Sequence, residues 1–189
     1  MPKLRYISRP LIKMVYKMKH HRGHGIHSPF LFSLITKVIE EKDPYYAYAD
    51  IDSFLETYPI RNRRSTKLDR LLFRLVNYLS AKKILEIGAK SGIGVLYLSA
   101  PSTDTDYTSS CCKIDSTIQT HISDNWKRSV TFSSVLLPVE EKQDCIVIDM
   151  KGLETSGEDV YRYISDMVYE QSFVILKNIR TNKEARSLW

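Results

Sequence analysis

The chain of 189 residues carries 28 Lys and Arg against 22 Asp and Glu, with 43% hydrophobic residues, the balance of a folded domain and not of a disordered or fibrous chain. That length supports one α/β domain with an appended segment and excludes two full-sized cores. Three cysteines cannot close a set of disulfides, no run approaches the roughly 20 apolar residues of a membrane-spanning helix, and basic residues are scattered to Arg22 where a secretory leader would be apolar, so a cytoplasmic protein is expected.

The formal charge of +6 is carried at the front: residues 1–39 hold eight Lys and Arg and no acid, whereas from Leu75 onward 13 basic residues face 15 acidic ones. Residues 4–19 set Leu4, Leu11, Ile12, Val15 and Met18 near one helical face, with Arg5, Arg9, Lys13 and Lys17 largely opposite, an amphipathic helix that Pro10 kinks or begins. In the turn HHRGHGIHSPF, Ser28 suits an N-cap and Pro29 the first helical position, which predicts a helix to about Glu41 with Phe30, Leu34, Ile35 and Val38 buried. Helices over 44–58 and 65–80, the latter with Leu68, Leu71, Leu72, Leu75 and Val76 inward, complete a basic helical segment over 1–80.

After Lys82 short apolar runs alternate with helical stretches, the pattern of a parallel sheet covered on both faces. Strands are expected at 83–87, 106–111, 130–133, 145–150 and 173–177, and helices at 93–98, 115–126, 157–169 and from about Thr181. The fold class is therefore α/β, a doubly wound, mostly parallel sheet over 81–189. Ligand binding belongs at the carboxyl ends of its strands, beside the first one.

In KILEIGAKSGIGVLYLS a strand ends in Glu86, Gly88 makes a tight turn, and Gly92 leaves the backbone open to a ligand before the next helix. This resembles the first motif of class I S-adenosylmethionine-dependent methyltransferases, with Lys90 in place of the middle glycine. DCIVIDM resembles the fourth strand of that family, with Asp149 facing cofactor or substrate, and HGIHSPFLF resembles the N-terminal region of a bacterial group of methyltransferase-like proteins. The resemblance implies a Rossmann-type fold, S-adenosylmethionine as cofactor, and a cofactor site of Glu86, Gly88, Ala89, Lys90, Gly92, Ser110 and Asp149. Either Asp149 or His27 would serve as the base that deprotonates the acceptor.

Three departures accompany it. The acid that binds the ribose at the end of the second strand is replaced by Ser110, which lacks the charge-assisted bonds of a carboxylate and should weaken the cofactor's hold. In the fifth strand, metal-dependent catechol-type relatives place Asp-Asn as magnesium ligands, where this chain has Lys177 and Asn178, so no catalytic magnesium is expected. The sequence also stops at Trp189, without the family's further helix and antiparallel strand pair, which leaves the fifth strand as an edge unless the N-terminal helices, or a second subunit in a homodimer, cover it.

His20, His21, His24 and His27 have no nearby cysteine or carboxylate and read as a polar turn, not a metal site. The basic residues of 3–22, with Arg61, Arg63 and Arg64, read first as a solvated face, and otherwise as a contact for an anionic membrane surface or nucleic acid. The resulting expectation is a methyltransferase acting on a small molecule. Its rival is a degenerate, non-catalytic member of the fold that binds or scaffolds. A dinucleotide-dependent oxidoreductase is disfavoured by the incomplete glycine turn.

Overall fold

A computed structural model describes residues 27–58, 60, 67–138, 141–151, 153 and 157–179. The helix expected over 4–19, the histidines at 20, 21 and 24, the arginines at 61, 63 and 64, and the helix expected from Thr181 lie outside these residues. Contacts divide the chain into two units, Met1–Asp43 and Pro44–Trp189.

In the first unit, helix α1 (Pro29–Leu34) opens as its sequence dictates: the Ser28 hydroxyl accepts the Leu31 N–H at 3.3 Å, and Pro29 occupies the first turn, where no donor is lost. The helix then widens into a π-helical turn, Ile35–Ile39, closed by the Glu40 N–H donating to the Ile35 carbonyl at 2.9 Å. Wider winding rotates Val38 away from the line of Phe30. Val38 is buried while Phe30 is exposed, so the expected stripe of four buried residues is not formed.

The second unit begins earlier than the expected boundary at 80/81. Helices α2 (Tyr46–Thr57) and α3 (Lys67–Leu79) belong to it because Tyr48, Ile51, Phe54, Leu72, Phe73 and Val76 share one core cluster with Ile84 and Val147 of the sheet. The remaining elements are β1 (Lys83–Ile87), α4 (Gly92–Ser99), β2 (Asp106–Ser110), α5 (Ser116–Asn125), β3 (Ser129–Phe132), β4 (Cys145–Asp149), α6 (Gly157–Ser165) and β5 (Phe173–Lys177). All pairings are parallel and the order is β3-β2-β1-β4-β5, so the chain reverses its winding beside β1, as the pattern of strands and helices predicts.

Strand alternation splits the core into two layers. Ile84, Tyr107, Cys145 and Val147 face α2, α3, α4 and α5, whereas Leu85, Ile87, Ile146 and Ile148 pack with Val160 and Ile164 of α6. Helix α4 is buried along its whole length, which its continuous apolar sequence requires. The three cysteines are free thiols, and burial pushes the Cys145 thiol up to about 12. Among the described residues no helix is long and apolar enough to cross a membrane.

Candidate functional site at the carboxyl ends of β1 and β4

A cavity of about 170 Å³ opens where the switch in winding places it, at the carboxyl ends of β1, β4 and β5. Glu86, Lys90, Ser91, Gly94, Asp149 and Lys177 line it, together with Leu68 and Asp69 from the first turn of α3. The sequence pattern assigns Leu68 to the buried stripe of α3, yet it is 43% exposed, because that turn stands beside the cavity and not over the core.

Glu86 points to the α4 side of the sheet and is only 1% exposed. Two donors hold its carboxylate: the Tyr107 hydroxyl on one oxygen and the Lys177 ammonium, at 3.2 Å, on the other. Burial and the facing carboxylate push the Tyr107 pKa well above the usual tyrosine value, so the hydroxyl keeps its proton and donates. Lys177 also stands 3.7 Å from Asp149 Oδ2. Burial pulls its pKa down, but the charges of Glu86 and Asp149 outweigh that and hold it above the usual lysine value. The other Asp149 oxygen accepts the Asn178 side-chain N–H at 2.7 Å and the Lys151 backbone N–H at 3.1 Å. Strand register places Lys177 beside Asp149.

The glycine turn serves several ends. Gly88 adopts φ 80°, a conformation suited to glycine, and its N–H reaches the Ser110 carbonyl at 3.0 Å. Ala89 is buried in the core, and its carbonyl accepts the Lys113 N–H at 2.7 Å. Lys90 lines the cavity, and Ser91 makes no side-chain cap bond to α4. At Gly92 a Cβ would stand 2.7 Å from Ile118 and 2.8 Å from Ile122, so the missing side chain lets α4 and α5 close together, where the sequence reading reserved that space for a ligand. The glycine that opens toward the site is Gly94, where a Cβ would stand 3.5 Å from both Glu86 oxygens.

Ser110 is placed differently. It pairs with Ile87, so its side chain lies on the α6 face, opposite Glu86, and is fully buried. Its hydroxyl accepts the Leu137 N–H at 3.4 Å and stands 3.4 Å from the Tyr163 hydroxyl, which itself donates to the Leu137 carbonyl at 2.6 Å. The residue across from the Gly88 turn is Cys111, at φ 52°. His27 belongs to the first unit, is exposed, and is not among the residues lining the cavity.

No protein-family model matches the sequence, and no curated protein does. Solved structures are similar in fold. An O-methyltransferase from Bacillus cereus in complex with SAH matches with TM-score 0.53 and 16% identity, over 82% of this chain and 78% of that one. The SAH-bound methyltransferase PaMTH1 from Podospora anserina matches with TM-score 0.52 and 11% identity, over 95% and 74%. A methyltransferase from Geobacter sulfurreducens matches with TM-score 0.50 and 13% identity, over 76% and 83%. The architecture is thus the α/β, Rossmann-like fold of methyltransferases.

Proposed function

We propose that this chain is an S-adenosylmethionine-dependent methyltransferase that takes the amino-acid end of its cofactor into the cavity at the ends of β1 and β4. The observation that carries the reading is the cradle over Glu86: a buried carboxylate lies beneath Gly94, at the one turn of α4 where a side chain would fill the space. Likeness of fold to methyltransferases solved with SAH supports it. The residues present fit an amino-acid group, since Glu86 and Asp149 offer negative charge to an ammonium, and Lys90 with the uncapped start of α4 offers positive charge to a carboxylate.

When bound, the cofactor supplies a methyl group activated on a sulfonium sulfur. This chain's part is to bind and orient, because holding donor and acceptor in contact can supply most of the acceleration of such a displacement. Asp149 is the base we propose, since its carboxylate lines the cavity and, among the described residues, its Oδ2 faces the Lys177 ammonium at 3.7 Å. The acceptor in this reading is a small molecule. Lys177 holds its ammonium between the two carboxylates, so neither magnesium nor a chelator should change binding.

Isothermal calorimetry with S-adenosylmethionine and S-adenosylhomocysteine tests the proposal. Binding heat is expected with both, and folded protein without detectable heat at high micromolar ligand overturns it. A second reading, a binding protein without transferase activity, is favoured by Ser110, whose buried hydroxyl offers nothing to a ribose. Binding of S-adenosylhomocysteine, without its production from S-adenosylmethionine over a panel of small hydroxylated acceptors, would support that reading.

A further inference from the structure

The four carboxylate oxygens that Glu86 and Asp149 bring to the cavity already face donors of the chain itself. Tyr107 takes one Glu86 oxygen and Lys177 the other; Asn178 and the Lys151 N–H share one Asp149 oxygen, and Lys177 faces its partner. Each oxygen could accept a second donor, but the place between the two acids is taken by the Lys177 ammonium, so an ammonium that is to meet both must displace it. Tyr107 is fully buried, the Lys151 donor is a backbone N–H, and the Asn178 donor is a short side-chain amide, all without charge. Lys177 alone among these donors is a compact charge on a flexible four-carbon stem, with 12% of its side chain exposed at the cavity.

We infer that Lys177 is a tethered ammonium occupying the position of the ligand's own, and that it sets the affinity of the site by competing with the amino group of the ligand. The inference rests on the proposed cofactor reading and sharpens it. Lys177 discriminates between ligands that carry an ammonium and those that do not. With an ammonium-bearing ligand in place, the lysine swings out toward the solvent. Without such a ligand it closes over Glu86, sparing a buried carboxylate the loss of its cationic partner.

Calorimetry on the full chain and on Lys177→Met tests this with two probes, S-adenosylhomocysteine, which has the ammonium, and 5′-methylthioadenosine, which lacks it. The variant is expected to bind S-adenosylhomocysteine at least tenfold more tightly, with methylthioadenosine affinity unchanged. Equal or weaker S-adenosylhomocysteine binding by a folded variant overturns the inference while the cofactor reading stands. Binding of S-adenosylhomocysteine by neither protein overturns the cofactor reading, and the inference with it. Should Lys177→Met fail to fold, the unaltered protein gives the answer by amine labelling read by mass spectrometry. Saturating S-adenosylhomocysteine is expected to raise acetylation of Lys177 several-fold, and unchanged or lower labelling at saturation overturns the displacement.

Discussion

Gly92 and Gly94, two residues apart on α4, separate the packing of this fold from its site. In Gly92→Ala the new methyl would stand 2.7 Å from Ile118 Cγ2, 2.8 Å from Ile122 Cδ1 and 3.1 Å from Ile60 Cδ1. Ile118 Cγ2 can move only by leaving the χ1 rotamer that a β-branched residue keeps in a helix, so relief comes at the cost of that rotamer or of the α4–α5 packing. Overpacking of this kind costs about 1–3 kcal/mol, and alanine's helix propensity, worth less than about 1 kcal/mol in a helix interior, returns only a small part of that at Gly92, the first residue of α4. The expected net loss is about 1–2 kcal/mol, or a fall in Tm of about 2–8 °C for a chain of this size. In Gly94→Ala the nearest atoms are the Glu86 oxygens at 3.5 Å, an ordinary contact, so stability should hold or rise slightly. Its methyl would nevertheless cover the Glu86 cradle and lower S-adenosylhomocysteine affinity. Urea unfolding and calorimetry on both variants give four numbers. Gly92→Ala as stable as the parent, or Gly94→Ala binding as well as the parent, would refute the assignment of packing to one glycine and ligand access to the other.

Three further outcomes follow from the contacts. Asp144, at the opposite end of the sheet, accepts the Lys82 and Lys83 N–H groups at 2.7 and 2.9 Å and the Tyr169 hydroxyl at 2.7 Å. Partial burial raises its pKa, but these donors outweigh that and hold it below the usual carboxylate value, so its contribution is present above about pH 4 and is lost as pH falls through the folded-state pKa. Asp144→Ala should therefore cost about 2 kcal/mol at pH 7, with the gap from the parent closing on acidification, as urea midpoints across pH will show. Tyr107→Phe removes the buried donor to Glu86 and should cost about 1.5–3 kcal/mol, measured by the same unfolding assay. Ser110→Asp restores the residue type that the second strand lacks, yet it would bury a carboxylate against Tyr163 and Leu137. It should destabilise the protein by about 3 kcal/mol or more without tightening S-adenosylhomocysteine binding.

Strands β1 and β4 are legible because each is a short apolar run whose two faces both meet helices, and Glu86, Gly88 and Asp149 stand at or just past the ends of those runs. Gly92 was misread because Ile118 and Ile122, which decide its role, lie 26 and 30 residues further along and meet it only when α5 docks. Ser110 was assigned to the ligand by its place at a strand end. Parity along the strand could have corrected that, since Ser109 pairs with Glu86 and Ser110 with Ile87, which puts Ser110 on the α6 side. Leu68 satisfies the apolar period of α3, and no periodicity states how far a helix extends past the sheet it covers.

Lys177 marks the boundary of what register can say. Its pairing with Asp149 follows from aligning two neighbouring strands, so the replacement of a carboxylate by an ammonium was readable from sequence. Its contact with Glu86 was not, because β4 separates β5 from β1, and strand spacing puts their backbones about 10 Å apart. A long, unbranched side chain carrying its charge at the tip can cross that distance, and a carboxylate at the same place cannot. Lysine at this place thus supplies a cation able to reach both acids of the site, and it leaves the two carboxylates paired and not repelling each other.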